Sequence, residues 1–244
     1  MADWKKVEAQ LRKTINDANQ TTGKNDTNIT DCVDRLISGY GQGAGGGIAD
    51  FINGTSTIIK DNGVTQITLT LFSGTNVASV EFPKCTTITN SAFQNCKSLK
   101  TANFPSCTNI GSYAFSSCSS LTTVSFPSCT NIGSYAFAYC RSLTEVSFPS
   151  CSWIGSYAFY GCASLTSVSF PKCSYVNSMA FYNCTLLESI YLMSTSVWTL
   201  SNSSVFSNTG IWSNKGSIFV PASLVNSYKT ATNWTYFSNR IFGV

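Results

Sequence analysis

The sequence predicts a solenoid of the α+β class, with parallel strands and short helical or 3₁₀ turns wound into stacked 22-residue coils behind an N-terminal helical arm. Three observations predict it. Phe82-Pro83 returns as Phe104-Pro105, Phe126-Pro127, Phe148-Pro149 and Phe170-Pro171, each step being 22 residues. Ala92-Phe93 returns with the same step as Ala114-Phe115, Ala136-Phe137, Ala158-Phe159 and Ala180-Phe181. Cysteines form two further ladders in that period, one from Cys85 to Cys173 and one from Cys96 to Cys184. A unit this short cannot bury its apolar face alone, so a fixed period implies stacking, and chain length then measures coils rather than the size of one core.

Residues 1–40 are predicted as the helical arm. Trp4, Val7, Leu11, Ile15 and Ala18 fall at helical spacing, and Asn28 to Ser38 forms a second short helix with Cys32, Val33, Leu36 and Ile37 on its apolar face. Residues 41–47, GQGAGGG, are a Gly-rich linker. Residues 48–78 form an N-terminal cap, with strands between Thr57 and Phe72 around the turn signal Asp61-Asn62-Gly63.

Residues 79–192 are the repeats, and 121–142 serve as their type coil. Val124 and Phe126 point inward by the strand period of two, leaving Thr123 and Ser125 outside. Pro127 cannot donate to a strand ladder, so the strand ends and the chain turns through Ser128 and Cys129 towards Ile132. Gly133 permits the next bend, and Ser134 to Tyr139 reads as a helical or 3₁₀ turn that buries Ala136 and Phe137. Residues 193–244 are a degenerate repeat and C-terminal cap. Val205-Phe206 echoes the Ala-Phe pair, Ile218 to Pro221 gives a last strand, and Ser223 N-caps a helix through Lys229 whose Leu224, Val225 and Tyr228 cover the open end.

The order Val-x-Phe-Pro, then Ile-x-x-x-Ala-Phe-x-x-Cys-x-x-Leu, carried in the type coil by Val124, Phe126, Pro127, Ile132, Ala136, Phe137 and Cys140 and closed by Leu143, resembles the BspA-like branch of leucine-rich repeats. That resemblance implies a binding body and says little about its ligand. Thr22 to Gly43, TGKNDTNITDCVDRLISGYGQG, resembles N-terminal assembly segments of tail-associated structural proteins in phages and prophages. Val220 to Trp234 resembles the end of repeat proteins from the same setting.

Composition excludes several functions. The first 40 residues hold six of the 15 basic and six of the 11 acidic side chains, so the repeat body is nearly uncharged and offers no basic stripe for nucleic-acid phosphates. No apolar run is long enough for a signal peptide or for membrane insertion, and the charged start after Met1 predicts synthesis in the cytoplasm. With no His and no CxxC, neither a metal nor a cofactor is expected. Each ladder cysteine is read as a small inward-facing apolar group, although neighbours are close enough in principle to oxidise. No catalytic motif stands out, and Glu81 and Glu145 lie three coils apart and two residues out of register, too far for a carboxylate pair.

Two surfaces remain for binding. The outward strand row, including Ser79, Thr101, Thr123, Glu145, Ser167 and Tyr191, is flat and hydroxylated, and either solubilises the coil or binds sugar or protein through many weak hydrogen bonds. Tyr139, Trp153, Tyr160, Tyr175 and Tyr182 appear in later coils where earlier ones carry residues such as Ser and Asn, and they form the candidate ligand-binding set. Tyr113, Tyr135 and Tyr157 repeat in register and read as structural. The chain is thus expected to be a non-enzymatic phage or prophage tail-associated protein that joins a virion through residues 1–40 and presents its solenoid to a protein or glycan receptor on a cell surface. A BspA-like cell-surface adhesin and an intracellular protein-binding scaffold are the alternatives.

Overall fold

The structure, a computed structural model, describes residues 58–60, 65–67 and 72–244. The expected helical arm, the Gly-rich linker, and the Asp61-Asn62-Gly63 turn lie outside the described residues. The remainder is a parallel solenoid in which each coil contributes two strands. In chain order these are β1 (Ile58–Lys60), β2 (Gln66–Ile67), β3 (Ser79–Glu81), β4 (Thr87–Ile88), β5 (Thr101–Asn103), β6 (Asn109–Ile110) and β7 (Thr123–Ser125). They continue with β8 (Asn131–Ile132), β9 (Glu145–Ser147), β10 (Trp153–Ile154), β11 (Ser167–Ser169), β12 (Tyr175–Val176), β13 (Ser189–Tyr191) and β14 (Thr199–Leu200).

The even-numbered strands from β2 to β14 form one continuous seven-stranded sheet, which the sequence did not predict. Each has only two residues, too few to show a period of two. The odd-numbered strands carry the expected alternation: Val80, Val146, Val168 and Ile190 are buried between outward neighbours. Their sheet is broken. Strands β1, β3, β5 and β7 form one part, and β9, β11 and β13 belong to another.

The break shows in individual hydrogen bonds. Thr122 donates to the Lys100 carbonyl through its backbone N–H (3.0 Å) and its hydroxyl (3.1 Å), and Thr166 does the same to Thr144 (2.8 and 3.1 Å). Among the described residues neither bond forms between Thr144 and Thr122, and Val124 is only half-buried there.

Two phenylalanine ladders fill the core. Phe82, Phe104, Phe126, Phe148 and Phe170 stack at 5.3–5.8 Å between ring centroids. Phe72, Phe93, Phe115, Phe137, Phe159, Phe181 and Phe206 stack at 5.0–5.7 Å, which places Val205-Phe206 in register with the Ala-Phe pairs. The ladders meet tilted or edge to face, and each such ring pair is worth roughly 0.5–1.5 kcal/mol beyond area burial.

The segment expected as a helical turn is instead a run of tight turns. Tyr135 and Tyr139 take left-handed conformations, at φ 57° and 60°, which break a helix. Alternate N–H groups reach the next coil, from Tyr135 to Ser156 O, Phe137 to Ala158 O and Tyr139 to Tyr160 O. Coil-to-coil bonding therefore replaces the helical ladder.

All ten ladder cysteines are free and buried. They are more than small apolar groups, because each thiol donates to a backbone carbonyl. Cys129 Sγ reaches Asn131 O (3.3 Å) within its own coil, and Cys140 Sγ reaches Phe115 O (3.2 Å) in the preceding one. Burial pushes eight of these thiols up, Cys85 to about 11 and Cys173 to about 12. Cys96 is lowered, chiefly by a hydrogen bond with Cys118. Since only thiolate reacts, a thiol reagent applied to the folded protein is expected to label the ladders no faster than the chain opens, with Cys96 first. Prompt labelling of the whole ladder would contradict this, and a denatured count well short of the 11 cysteines would mean that ladder neighbours are oxidised.

At the far end β15 (Ser217–Val220) extends the broken sheet beside β13, and α1 (Val225–Thr230) follows. Ser223 does not N-cap this helix: a 3₁₀ turn starting after Pro221 already takes up Ala222–Leu224, so Leu224 holds the cap position. Tyr228 is fully buried, accepts from the Trp198 N–H (3.1 Å) and donates to Ser196 O (3.4 Å), while Trp234 Nε1 donates to Trp198 O (2.8 Å). Nor is β15 the last strand. β16 (Ile241–Gly243) returns to pair with it in parallel.

Candidate functional site

The structure divides the five candidate residues into two groups. Tyr139, Tyr160 and Tyr182 come together at the turn side of the coils. Tyr139 meets Tyr160 edge to face at 4.8 Å, and Tyr160 lies 5.5 Å from Tyr182. Trp153 and Tyr175 are register partners on β10 and β12, on the other sheet, and among the described residues no ring contact joins them to the tyrosines.

Tyr139 stands on the left-handed turn residue of its coil, one position away from the column of Tyr160 and Tyr182. Its ring fits because the equivalent residue of the next coil is Gly161, where a Cβ would lie 2.9 Å from Tyr139 Cδ1. That replacement of Asn95 and Ser117 by Gly161 was the available sequence signal that the neighbouring ring lies flat over the turn.

The in-register tyrosines join the same surface. Tyr113, Tyr135 and Tyr157 stack at 4.7–4.8 Å, and Tyr157 meets Tyr160 edge to face at 5.8 Å. Six tyrosines thus make one continuous aromatic patch, with Tyr113 40% and Tyr139 37% exposed. Arg141 lies 5.8 Å from the centre of the Tyr139 ring, and the Asn208 amide donates to the Tyr182 hydroxyl at 3.4 Å. The Tyr139 hydroxyl is pushed up, first by its hydrogen bond with Tyr160, and Tyr135 is raised by desolvation and by its tyrosine neighbours. At neutral pH Tyr135 and Tyr139 therefore present protonated hydroxyls on flat rings, able both to donate and to bury area.

The outward strand row forms a second feature. A groove of about 530 Å³ runs along the broken sheet, crossing β7, β9 and β11 at the half-buried Val124 and the inward-turned Val146 and Val168. Thr123, Glu145 and Ser167 stand on one wall, and Ser147, Ser169 and Tyr191 on the other. Tyr191 is 40% exposed and stacks on Phe219 at 5.0 Å. Among the described residues no cluster of His, Cys, Asp or Glu could hold a metal ion, and no helix is long and apolar enough to cross a membrane.

Residues 51–151 and 108–226 match, in six copies, the family model described as a BspA type leucine rich repeat region. Among solved structures, the chain is 27% identical to a leucine-rich repeat protein from Bacteroides ovatus ATCC 8483, over 60% of this chain and 41% of that one, with a TM-score of 0.51. A leucine rich cell surface protein from Faecalibacterium prausnitzii A2-165 is 26% identical over 57% of this chain and 32% of its own, at a TM-score of 0.44. A leucine rich repeat protein from T. pallidum is 27% identical over 56% and 64%, also at 0.44. The chain thus spans less than half the length of the first two. No curated protein matches it.

Proposed function

Since the chain belongs to the BspA-type leucine-rich repeat family, we propose that it is a non-enzymatic binding protein whose tyrosine patch contacts a protein receptor on a cell surface. One observation carries this reading: six tyrosines from successive coils form a continuous, partly exposed aromatic surface edged by Arg141. Tyrosine and arginine are the residue types that dominate binding energy at protein interfaces, because a rigid ring buries much area at small entropic cost and its hydroxyl keeps a hydrogen bond. A solenoid suits the role, since stacked identical coils hold such a surface on a rigid frame.

Fluorescently labelled protein measured by flow cytometry on bacterial and epithelial cells tests the reading. The triple variant Tyr139→Ser, Tyr160→Ser, Tyr182→Ser is expected to weaken binding by about thirtyfold, the loss of a hot spot worth about 2 kcal/mol. Protease shaving of the cells should abolish it. Trp153→Ala with Tyr175→Ala, on the other sheet, should move it far less. Equal binding by the triple variant would overturn the assignment of the patch.

The setting in which the surface is displayed is a finer question. A cell-surface adhesin and a phage or prophage tail protein share this binding body, and the family match favours the adhesin at least as well. The tail reading rests on residues 22–43 and predicts that deleting residues 1–43 stops incorporation into particles; particles that keep the truncated chain would refute it.

A further inference from the structure

We propose that the groove over the broken sheet binds a neutral, extended oligosaccharide chain, a site separate from the tyrosine patch. The break supplies the first reason. At the flanking junctions the threonine hydroxyl and N–H both end on the carbonyl of the preceding coil. At the open junction, among the described residues, the Thr144 hydroxyl and N–H and the Thr122 carbonyl lose those partners, and both threonines line the groove. Exposed donors and an exposed acceptor side by side match a ligand whose hydroxyls do both.

The walls supply the second. Ser147, Ser167 and Ser169 offer hydroxyls on two successive rungs, and Glu145 adds a carboxylate that accepts from sugar hydroxyls. Tyr191 closes the row with a flat ring held from behind by Phe219, a platform for stacking one sugar face. The rungs repeat every roughly 4.8 Å along the axis, close to the length of one sugar unit in an extended chain, so each coil meets one unit.

The same features disfavour other occupants. A carboxylate is the single charged side chain lining the groove, which repels acidic glycans and phosphates. With Val146 and Val168 turned into the core, the groove among the described residues offers no deep pocket of the kind that would select peptide side chains.

Isothermal titration of the full chain with xylo-, cello- and N-acetylchito-oligosaccharides, from disaccharide to hexasaccharide, tests the site. At least one series should bind, with affinity rising steeply up to the tetrasaccharide and levelling beyond it, as the groove spans β7 to β13. Tyr191→Ala should weaken that binding by about tenfold, as expected for a lost stacking contact. Ser147→Ala with Ser169→Ala, which leaves every ring in place, should weaken it too. The tyrosine-patch triple variant should bind the sugar unchanged, so failure of one surface is separable from failure of the other. No binding of any series at millimolar concentration, or binding that ignores both groove variants, would overturn the proposal.

Discussion

Raising the pH from about 8 to about 10 is expected to unfold the solenoid, as the buried thiols gain a partner-free route to ionisation only in the unfolded chain. Eight ladder thiols, Cys85, Cys107, Cys118, Cys129, Cys140, Cys151, Cys173 and Cys184, are raised above the ordinary 9.0, in each case first by desolvation. A thiol is neutral when protonated. Between 9.0 and its folded value, the unfolded chain releases a proton that the folded chain keeps, so stability is whole below 9.0 and falls as pH rises. One pH unit above 9.0 a thiol raised as far as Cys85 withdraws on the order of 1 kcal/mol, and the other seven act in the same direction. Circular dichroism against pH should show cooperative loss near pH 10 that coincides with the rise of thiolate absorbance. A protein equally stable to urea at both pH values would show that the thiols ionise in place.

Gly133→Ala is expected to be among the most damaging single methyl additions in the described coils. A Cβ there would lie 2.6 Å from both the Gly111 carbonyl carbon and the Ser112 nitrogen, and backbone on a stacked coil cannot yield as a side chain can. Gly111 and Gly155 stand in the same column with contacts of 2.5–2.6 Å, so the clash cannot be relieved by shifting one coil against the next. Overpacking of this kind costs about 3 kcal/mol or more, and a thermal melt should show a loss of several degrees. Gly74→Ala makes the contrast: its φ of +71° strains an L residue, yet nothing lies within 4 Å, so the cost should be about 1 kcal/mol. Equal melting temperatures for the two variants would contradict the close approach of the coils.

How much of this was legible in the sequence depended on whether a position repeats. Phe126, Phe137, Cys129 and Cys140 recur in every coil because each must stack on its own copy, and they announced the fold. The turns were misread because Ala136-Phe137 and Tyr139 imitate helical spacing, while the left-handed backbone at Tyr135 and Tyr139 leaves no mark in a residue type that rarely adopts it. The second strand, Asn131–Ile132, was too short to register. The break between β7 and β9 was invisible for another reason. The flanking segments SLTTVSFPSC and SLTEVSFPSC differ only at Thr123 and Glu145, and nothing in those side chains explains why the ladder opens there.

The candidate site was legible in part. Aromatic replacement picked out Tyr139, Tyr160 and Tyr182, which the turns bring into contact, and it also picked out Trp153 and Tyr175, which the second sheet holds apart. Tyr113, Tyr135 and Tyr157 were set aside because they repeat, although repetition is what lets them stack into the same patch.

Chemical footprinting of tyrosines on the protein bound to receptor-bearing cells tests the central claim most directly. The binding reading predicts that Tyr113, Tyr139 and Tyr182 lose reactivity on binding while Tyr236, exposed at the far end, keeps it. Unchanged reactivity across the patch in cell-bound protein would contradict it.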